Sequence, residues 1–182
     1  MSSRDGTWHP AVAGAEPSQK AERNPDAPLF EGVYRDRFEK ILTRYPNKRA
    51  ALLPVLHLAQ EVRGWLSPET MGRVADLLEL TPAQVLSTAS FYTMYKLRPV
   101  GRYLIQVCTN IACDLCGAGP VLKRFLAETK TRPGDVSADG KYTVVETECL
   151  GACGFPTAVL INERFYESVT PESVPSILGE LP

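Results

Sequence analysis

Apolar residues between positions 34 and 91 recur at the spacing of α-helices. Three segments place apolar side chains at i, i+3, i+4 and i+7, and a fourth apolar segment begins at Val85. Ser67-Pro68 and Thr81-Pro82 are typical helix starts, because a hydroxyl caps free N–H groups and proline fits the first turn. Gln84 completes a capping box with Thr81. Because only short loops join these segments, the sequence predicts an antiparallel helical bundle over residues 31–98.

Proline, glycine and composition mark the irregular parts of this half. Pro54 lies inside the second helical stripe, so we expect that helix to start late or to bend, and Gly64 to end it. Residues 1–30 are rich in Ala, Pro, Ser, Glu and Gly and have almost no apolar periodicity. Such a segment buries too little surface to offset its ordering entropy, which predicts a flexible tail.

The apolar pattern changes after Gly101 to that of β-strands. Short apolar runs predict strands at residues 103–107, 142–145 and 158–161, and Asn162-Glu163 predicts a hairpin into a fourth strand. One helix is expected from Gly119-Pro120 and another after Thr170-Pro171. The predicted fold class is α+β, with the helical bundle followed by an α/β domain over residues 99–182 that contains a mixed sheet.

Composition and charge exclude several function classes. The chain has 182 residues, of which 44% are hydrophobic, and 20 basic residues nearly balance 21 acidic ones. This balance does not predict a nucleic-acid partner. The sequence contains no apolar run of transmembrane length and does not begin like a secretory signal. We therefore expect a cytoplasmic chain without direct membrane insertion, whose clustered cysteines bind metal or carry catalysis rather than form structural disulfides.

Two pairs of cysteines follow the first two predicted strands. Cys108 and Cys113 come after residues 103–107, and Cys149 and Cys153 come after residues 142–145. A strand delivers its last residue to the end of a sheet, where loops from neighbouring strands can direct several side chains to one point. Four cysteine thiolates are the usual ligands of an iron–sulfur cluster, and a tetrahedral zinc ion is the alternative.

Five cysteines leave three arrangements open. Cys108, Cys113, Cys116 and Cys149 match the spacing of plant-type ferredoxins, whereas Cys113 and Cys116 alone have the C-x-x-C spacing of a redox dithiol. The third arrangement takes Cys108, Cys113, Cys149 and Cys153, two from each loop. Physical arguments favour this third set, because Leu150-Gly151-Ala152 is small and flexible enough to wrap around inorganic sulfur. Cys116 is then the odd thiol, and zinc is the weaker rival because its sites usually contain a C-x-x-C knuckle.

Several motifs resemble one family of redox subunits. The sequence is similar to the E subunit of respiratory complex I, NADH:quinone oxidoreductase, a family that includes subunits of NAD-linked hydrogenases and NAD-dependent formate dehydrogenases. The resemblance rests on Ser90-Phe91-Tyr92-Thr93-Met94-Tyr95, Gly101-Arg102-Tyr103, Gln106-Val107-Cys108-Thr109, Cys113 and Glu148-Cys149-Leu150-Gly151-Ala152-Cys153. It implies that the α/β domain is thioredoxin-like and holds one [2Fe-2S] cluster on Cys108, Cys113, Cys149 and Cys153.

The resemblance also implies a role and partners. The implied role of this chain is that of an electron-transfer subunit. Its implied partners are a flavin- and NADH-binding subunit and other peripheral-arm subunits. The flavin- and NADH-binding subunit carries FMN and performs the hydride chemistry. The chain itself has no G-x-G-x-x-G or P-loop motif. The implied location is the inner face of the cell membrane, held there through the complex. One departure is that Pro156 comes one residue before the position, here Thr157, where the family commonly has proline, so we expect a different loop path.

Overall fold

The computed structural model describes residues 28–181. Contacts divide the chain between Pro99 and Val100 into two units, each with its own apolar core. Most of the predicted tail, residues 1–27, lies outside the described residues. Its last two residues, Leu29 and Phe30, are buried in the core of the first unit and so differ from the expected flexible segment. The ring of Phe30 stacks on that of Phe38 with 5.1 Å between the ring centroids.

Four α-helices form the described part of the first unit, and both predicted helix caps are confirmed. The helices are α1 (Val33–Arg44), α2 (Leu52–Arg63), α3 (Pro68–Leu78) and α4 (Pro82–Phe91). The Oγ of Ser67 accepts a hydrogen bond from the backbone N–H of Thr70 at 3.0 Å. Thr81 and Gln84 form the reciprocal capping box at the start of α4. Within residues 28–181, every helix is too short or too polar to cross a membrane.

Pro54 is accommodated without breaking α2. A short 3-10 turn, Arg49–Ala51, leads into the helix, and Pro54 falls in its first turn. The first N–H groups of a helix have no hydrogen-bond partner within it, so a proline in the first turn removes no helical hydrogen bond. Gly64 ends the helix with a φ of 81°, a left-handed conformation that glycine adopts without strain. Helix α2 begins at Leu52, the first residue of the apolar stripe, so the late start expected because of Pro54 is not observed.

Replacing Thr81 by alanine is expected to lower the free energy of unfolding by ~1 kcal/mol. The substitution removes the side-chain oxygen, 3.3 Å from the backbone nitrogen of Gln84, that caps α4. Urea denaturation followed by circular dichroism measures the loss. Thr88→Ala is the matched control, because Thr88 lies inside the same helix and alanine is the better helix former there. An equal loss from both substitutions would show that the cap contributes nothing specific.

The second unit is a four-stranded mixed sheet with helices. Its elements are β1 (Tyr103–Cys108), α5 (Ile111–Leu115), α6 (Ala118–Thr129), β2 (Tyr142–Thr147), β3 (Val159–Ile161), β4 (Arg164–Tyr166) and α7 (Val174–Gly179). The strand order is β2-β1-β3-β4, in which β1 and β2 are parallel and the remaining pairs antiparallel. Helix α6 provides the crossover and buries Phe125 completely. The predicted α+β class, mixed sheet and hairpin at Asn162 are confirmed.

Two details of this unit differ from the sequence predictions. The sequence predicts a loop where α5 lies, since five residues are too few to show a period. The last helix starts at Val174 and not directly after Thr170-Pro171. The Oγ of Ser173 accepts a hydrogen bond from the N–H of Thr170 and donates one to its carbonyl oxygen, so these residues form a turn before the helix.

A close approach at Gly101 places β1 against β2. The N–H of Gly101 donates to the Oγ1 of buried Thr143 at 2.8 Å. A Cβ on Gly101 would lie 2.5 to 2.8 Å from the backbone atoms of Tyr142, closer than van der Waals contact permits. Hydrogen bonds from Arg102 and Tyr103 to residues 140 and 141 continue this pairing into the strands. The start of the parallel pair therefore requires glycine.

Candidate metal centre

The parallel pairing of β1 and β2 brings both cysteine loops to the same end of the sheet. Cys108, the last residue of β1, is in register with Thr147, the last residue of β2. The N–H of Thr109 donates to the carbonyl oxygen of Thr147 at 3.0 Å, and that of Cys108 donates to the carbonyl of Ala158 at the same distance. Three chain segments therefore meet where β1 ends.

Four of the five cysteines are neighbours at this point. The thiol of Cys108 hydrogen-bonds with those of Cys113 and Cys149. Cys113 interacts electrostatically with Cys108 and with Cys153. Cys116, exposed at the end of α5, belongs to neither set of contacts within the described residues. The structure thus brings together the four cysteines chosen from the sequence, although no group of three or more His, Cys, Asp or Glu side chains in residues 28–181 is arranged to hold a single metal ion.

One half of the thiol cluster is buried and the other half is open. Cys108 and Cys113 are 3% and 2% exposed and pack with Ala118 and Ala158. Cys149 and Cys153 are exposed to solvent. The apolar side of the cluster excludes water, whereas the thiols of the second loop face outward.

Backbone N–H groups surround the thiols. Asn110 and Leu150 hydrogen-bond to Cys108 through the backbone, and Ala158 does so to Cys113. The N–H of Gly151 donates to the sulfur of Cys149 at 3.3 Å. Gly151 has a φ of 74°, so the tight turn that aims this N–H favours glycine. These donors come from three different segments and all stabilise negative charge on sulfur.

The environment moves the pKa values of the two buried thiols in opposite directions. Burial acts to raise the pKa of Cys108, but the hydrogen bonds from Asn110, Leu150 and the neighbouring thiols outweigh it and leave the pKa below its usual value. Burial raises the pKa of Cys113, and the adjacent sulfur of Cys108 adds to the increase. Cys108 is therefore the thiol most readily deprotonated of this pair.

This donor set fits an iron–sulfur cluster. Four thiols from two loops match the ligand number of a [2Fe-2S] cluster, and N–H groups directed at sulfur are how proteins tune such clusters. Cys116, by contrast, has no place in the arrangement.

The loop that follows Cys153 passes beside Cys113. The Oγ1 of buried Thr157 lies 3.5 Å from the carbonyl oxygen of Cys113, at the outer limit of a hydrogen bond. The peptide bond between Pro156 and Thr157 is cis. The expectation that the displaced proline alters the loop path relative to the family stays a prediction.

Sequence reasoning missed the backbone donors at Asn110 and Ala158. Ala158 is an ordinary strand residue in the sequence, and no side-chain signal marks an N–H or carbonyl group as part of a site. Asn110 offers a clue, because its side chain caps α5 by accepting from the N–H of Ile111 at 2.9 Å. A short Asn-capped turn between two cysteines thus fixes the first loop.

The family model described as "Thioredoxin-like [2Fe-2S] ferredoxin" matches residues 38–182. The E subunit of NADH-quinone oxidoreductase from Rickettsia bellii is 40% identical over 146 residues, covering 79% of this chain and 87% of the relative. Subunit 2 of NADH-quinone oxidoreductase from Thermus thermophilus is 37% identical over 151 residues, covering 81% and 83% respectively. The corresponding E subunit of Mycobacterium tuberculosis is 39% identical over 143 residues, but the chain spans only 57% of that protein's length.

A solved structure shows the same fold. In a crystal structure of an NAD+-reducing [NiFe]-hydrogenase in the H2-reduced state, a similar region aligns with a TM-score of 0.62 and 24% identity. The alignment covers 72% of this chain and 22% of the hydrogenase chain. Together with the relatives, the family match confirms the resemblance inferred from the cysteine motifs. The chain belongs to the family of thioredoxin-like [2Fe-2S] ferredoxins.

Proposed function

We propose that this chain is an electron-transfer subunit of an NADH:quinone oxidoreductase and that Cys108, Cys113, Cys149 and Cys153 hold its one [2Fe-2S] cluster. The observation that carries the proposal is the convergence of these four thiols from two strand-end loops. Relatives named as subunits of this enzyme support it. In this proposal residues 99–182 are the ferredoxin domain and residues 31–98 its helical bundle.

The chain's own residues would set the properties of the cluster. A bound [2Fe-2S] cluster supplies one-electron chemistry. Cys108 and Cys113, with Ala118 and Ala158 around them, exclude water from one side. The N–H groups that point at sulfur stabilise negative charge and favour uptake of an electron. The exposed thiols of Cys149 and Cys153 lie on the side from which an electron can enter or leave.

The partners follow from the same proposal. The chain has no nucleotide-binding motif of its own, so FMN and NADH are assigned to a neighbouring flavin- and NADH-binding subunit that performs the hydride chemistry. The chain takes a place among the peripheral-arm subunits on the inner face of the membrane, and its attachment to the membrane is through the complex. The names of the relatives support the assignment to such a complex.

A second candidate is the same role in an NAD-linked hydrogenase or formate dehydrogenase. The fold shared with an NAD+-reducing hydrogenase favours it. Both candidates use the same cluster and the same kind of flavin partner. Purification of the native complex, followed by assays with NADH and quinone, with hydrogen and with formate, distinguishes the three enzymes.

A thiol redox module on Cys113 and Cys116 is disfavoured by the structure. The first cysteine of a reactive C-x-x-C motif is typically accessible and has a lowered pKa. Cys113 is instead buried, and burial raises its pKa. The nucleophile that such an enzyme needs is therefore absent from the expected position.

The full chain, purified anaerobically, is expected to contain about two irons and an equal amount of acid-labile sulfide. Reduction with dithionite should bleach its visible absorbance and produce a low-temperature EPR signal of one unpaired spin per chain. Metal analysis and spin quantification test both points. A colourless protein with stoichiometric zinc would overturn the proposal, since zinc carries no electrons.

A further inference from the structure

Thr157 carries a buried hydroxyl whose hydrogen bond is unusually long. Five serine and threonine side chains are buried within residues 28–181, and four of them have a hydrogen-bond partner at 2.8 or 2.9 Å: Thr70, Thr129, Ser137 and Thr143. Thr157 is 1% exposed, and the partner of its Oγ1 is the carbonyl oxygen of Cys113 at 3.5 Å. A hydroxyl normally lies ~2.8 Å from the oxygen that it bonds, so the hydrogen bond of Thr157 is weak.

The backbone of Thr157 is held in place beside the cysteines. Its carbonyl oxygen accepts a hydrogen bond from the N–H of Val169 at 2.9 Å. The next residue, Ala158, hydrogen-bonds through its backbone to the sulfur of Cys113, and its carbonyl oxygen accepts from the N–H of Cys108 at 3.0 Å. Because these bonds fix the chain on both sides of the Thr157 side chain, the hydroxyl changes its partner only by rotation of that side chain.

The weak hydrogen bond of Thr157 has a chemical consequence. A buried hydroxyl without a good acceptor is costly, and valine would fill the same space without that cost. In the proposed function Cys113, whose carbonyl oxygen is the partner of the hydroxyl, ligates the cluster through its sulfur. A metal-bound cysteine sulfur is a thiolate, and hydrogen bonds to charged acceptors are about twice as strong as those between neutral groups. That sulfur is therefore the better acceptor for the hydroxyl.

We propose that the hydroxyl of Thr157 donates a hydrogen bond to the sulfur of Cys113 when that sulfur ligates the [2Fe-2S] cluster, and that this bond raises the reduction potential of the cluster. The inference rests on the proposed function, which supplies the cluster. Reduction adds negative charge to the cluster and its sulfur ligands, so it strengthens a hydrogen bond donated to sulfur. The hydroxyl thereby favours the reduced state.

The buried side of the site is where one hydroxyl has the largest effect. Cys108 and Cys113 are 3% and 2% exposed, and their apolar neighbours exclude water. A hydrogen bond is electrostatically stronger in such surroundings than in water. The thiols of Cys149 and Cys153 are open to solvent, which can itself donate hydrogen bonds to them. A single protein hydroxyl would therefore matter less beside those two ligands.

Thr157→Val and Thr157→Ser separate the hydroxyl from the packing of the side chain. Valine keeps the branched shape and loses the hydroxyl, whereas serine keeps the hydroxyl and loses the methyl group. Thr157→Val is expected to make one-electron reduction of the cluster about tenfold less favourable, a fall in potential of ~59 mV, and Thr157→Ser to leave the potential unchanged. Potentiometric titration of the full chain, followed by its low-temperature EPR signal, measures both. Equal potentials of the valine variant and the unaltered chain would overturn the inference.

Thr129→Val is the matched control. Thr129 is another buried threonine of the second unit, and its Oγ1 donates to the carbonyl oxygen of Phe125 at 2.8 Å. It ends α6, which begins at Ala118 beside the cysteines, so it lies ~16 Å further along the helix axis. Thr129→Val should leave the potential unchanged. A fall equal to that of Thr157→Val would show a general effect of lost hydroxyls and contradict the specific role of Thr157.

Pulsed EPR detects the hydrogen bond itself, a readout that a purely structural role of Thr157 would not move. After exchange into D2O, a deuteron bonded to a cluster sulfur couples to the unpaired electron of the reduced cluster. Besides the couplings from backbone N–H groups, one coupling is expected in the unaltered chain and in Thr157→Ser and is expected to be missing in Thr157→Val. The same deuterium spectrum in all three proteins would rule out the proposed donor.

A further variant and the iron content complete the test. Thr157→Ala also lacks the hydroxyl and replaces the valine variant in both measurements if valine disturbs the loop. Iron content is recorded for every protein. An unaltered chain without iron would contradict the proposed function. A chain with a normal cluster, whose potential and deuterium couplings are the same with and without the hydroxyl, would contradict the role of Thr157 alone.

Discussion

Cys153→Ala is expected to abolish the two-iron cluster. The substitution leaves three of the four proposed ligands, and the open position exposes an iron to solvent on the side of the site that is already accessible. Iron content should fall from about two per chain to near zero, with loss of the visible absorbance and of the EPR signal. Alanine is used because the oxygen of serine can replace a thiolate as an iron ligand.

Cys116→Ala is the matched control and should retain both irons. Cys116 is exposed at the end of α5 and makes none of the contacts that join Cys108 and Cys113 to the second loop. The plant-type spacing of Cys108, Cys113, Cys116 and Cys149 predicts the reverse result. Loss of iron in Cys116→Ala, with retention in Cys153→Ala, would therefore replace the two-loop ligand set by the plant-type set.

Gly101→Ala is expected to destabilise the second unit by ~3 kcal/mol and to lower its melting temperature by ~15 °C. The added Cβ would lie 2.5 Å from the carbonyl carbon of Tyr142, and backbone atoms in a sheet cannot move aside as a flexible side chain can. Relief of the clash would also disturb the hydrogen bond from the N–H of Gly101 to Thr143. Thermal unfolding followed by circular dichroism measures the effect.

Gly119→Ala is the control that shows whether replacing any glycine of the second unit lowers its stability. Gly119 lies inside α6, and a Cβ there would meet no atom within 4 Å apart from its chain neighbours and the backbone of its own helix. Alanine is the better helix former, so this substitution should leave the stability unchanged or raise it by ~0.5–1 kcal/mol. A Gly101→Ala variant as stable as Gly119→Ala would contradict the close approach of β1 to β2.

Local chemistry explains which parts of the fold were predictable. Thr81 and Gln84 predict a helix start because the capping hydrogen bonds form within four residues, and Asn162 predicts a hairpin for the same reason. Helix α5 was missed because its five residues show no period. The burial of Leu29 and Phe30 was missed because these side chains pack with Phe38 of α1 in one core. Nothing in the composition of residues 1–30 indicates that contact.

The proximity of the four cysteines was predictable from the sequence, but their surroundings were not. Cysteines directly after two apolar runs indicate two strand-end loops, and the parallel pairing of β1 with β2 brings those loops together. The sequence could not show that Cys108 and Cys113 are buried while Cys149 and Cys153 are open. That difference arises from the packing of Ala118 and Ala158, which come from distant parts of the chain.

The strand pairing also bears on the order in which the chain folds. In the first unit, α1 packs on α2, α2 on α3 and α3 on α4, so most of its helix–helix contacts join neighbours along the chain. In the second, Tyr103 pairs with Tyr142 and Ile105 with Ile161, across about forty to sixty residues. Local contacts form early, whereas distant strands pair slowly. During synthesis the helical unit can therefore form first, and the four thiols converge only after β2 and β3 have left the ribosome, so iron insertion is a late event.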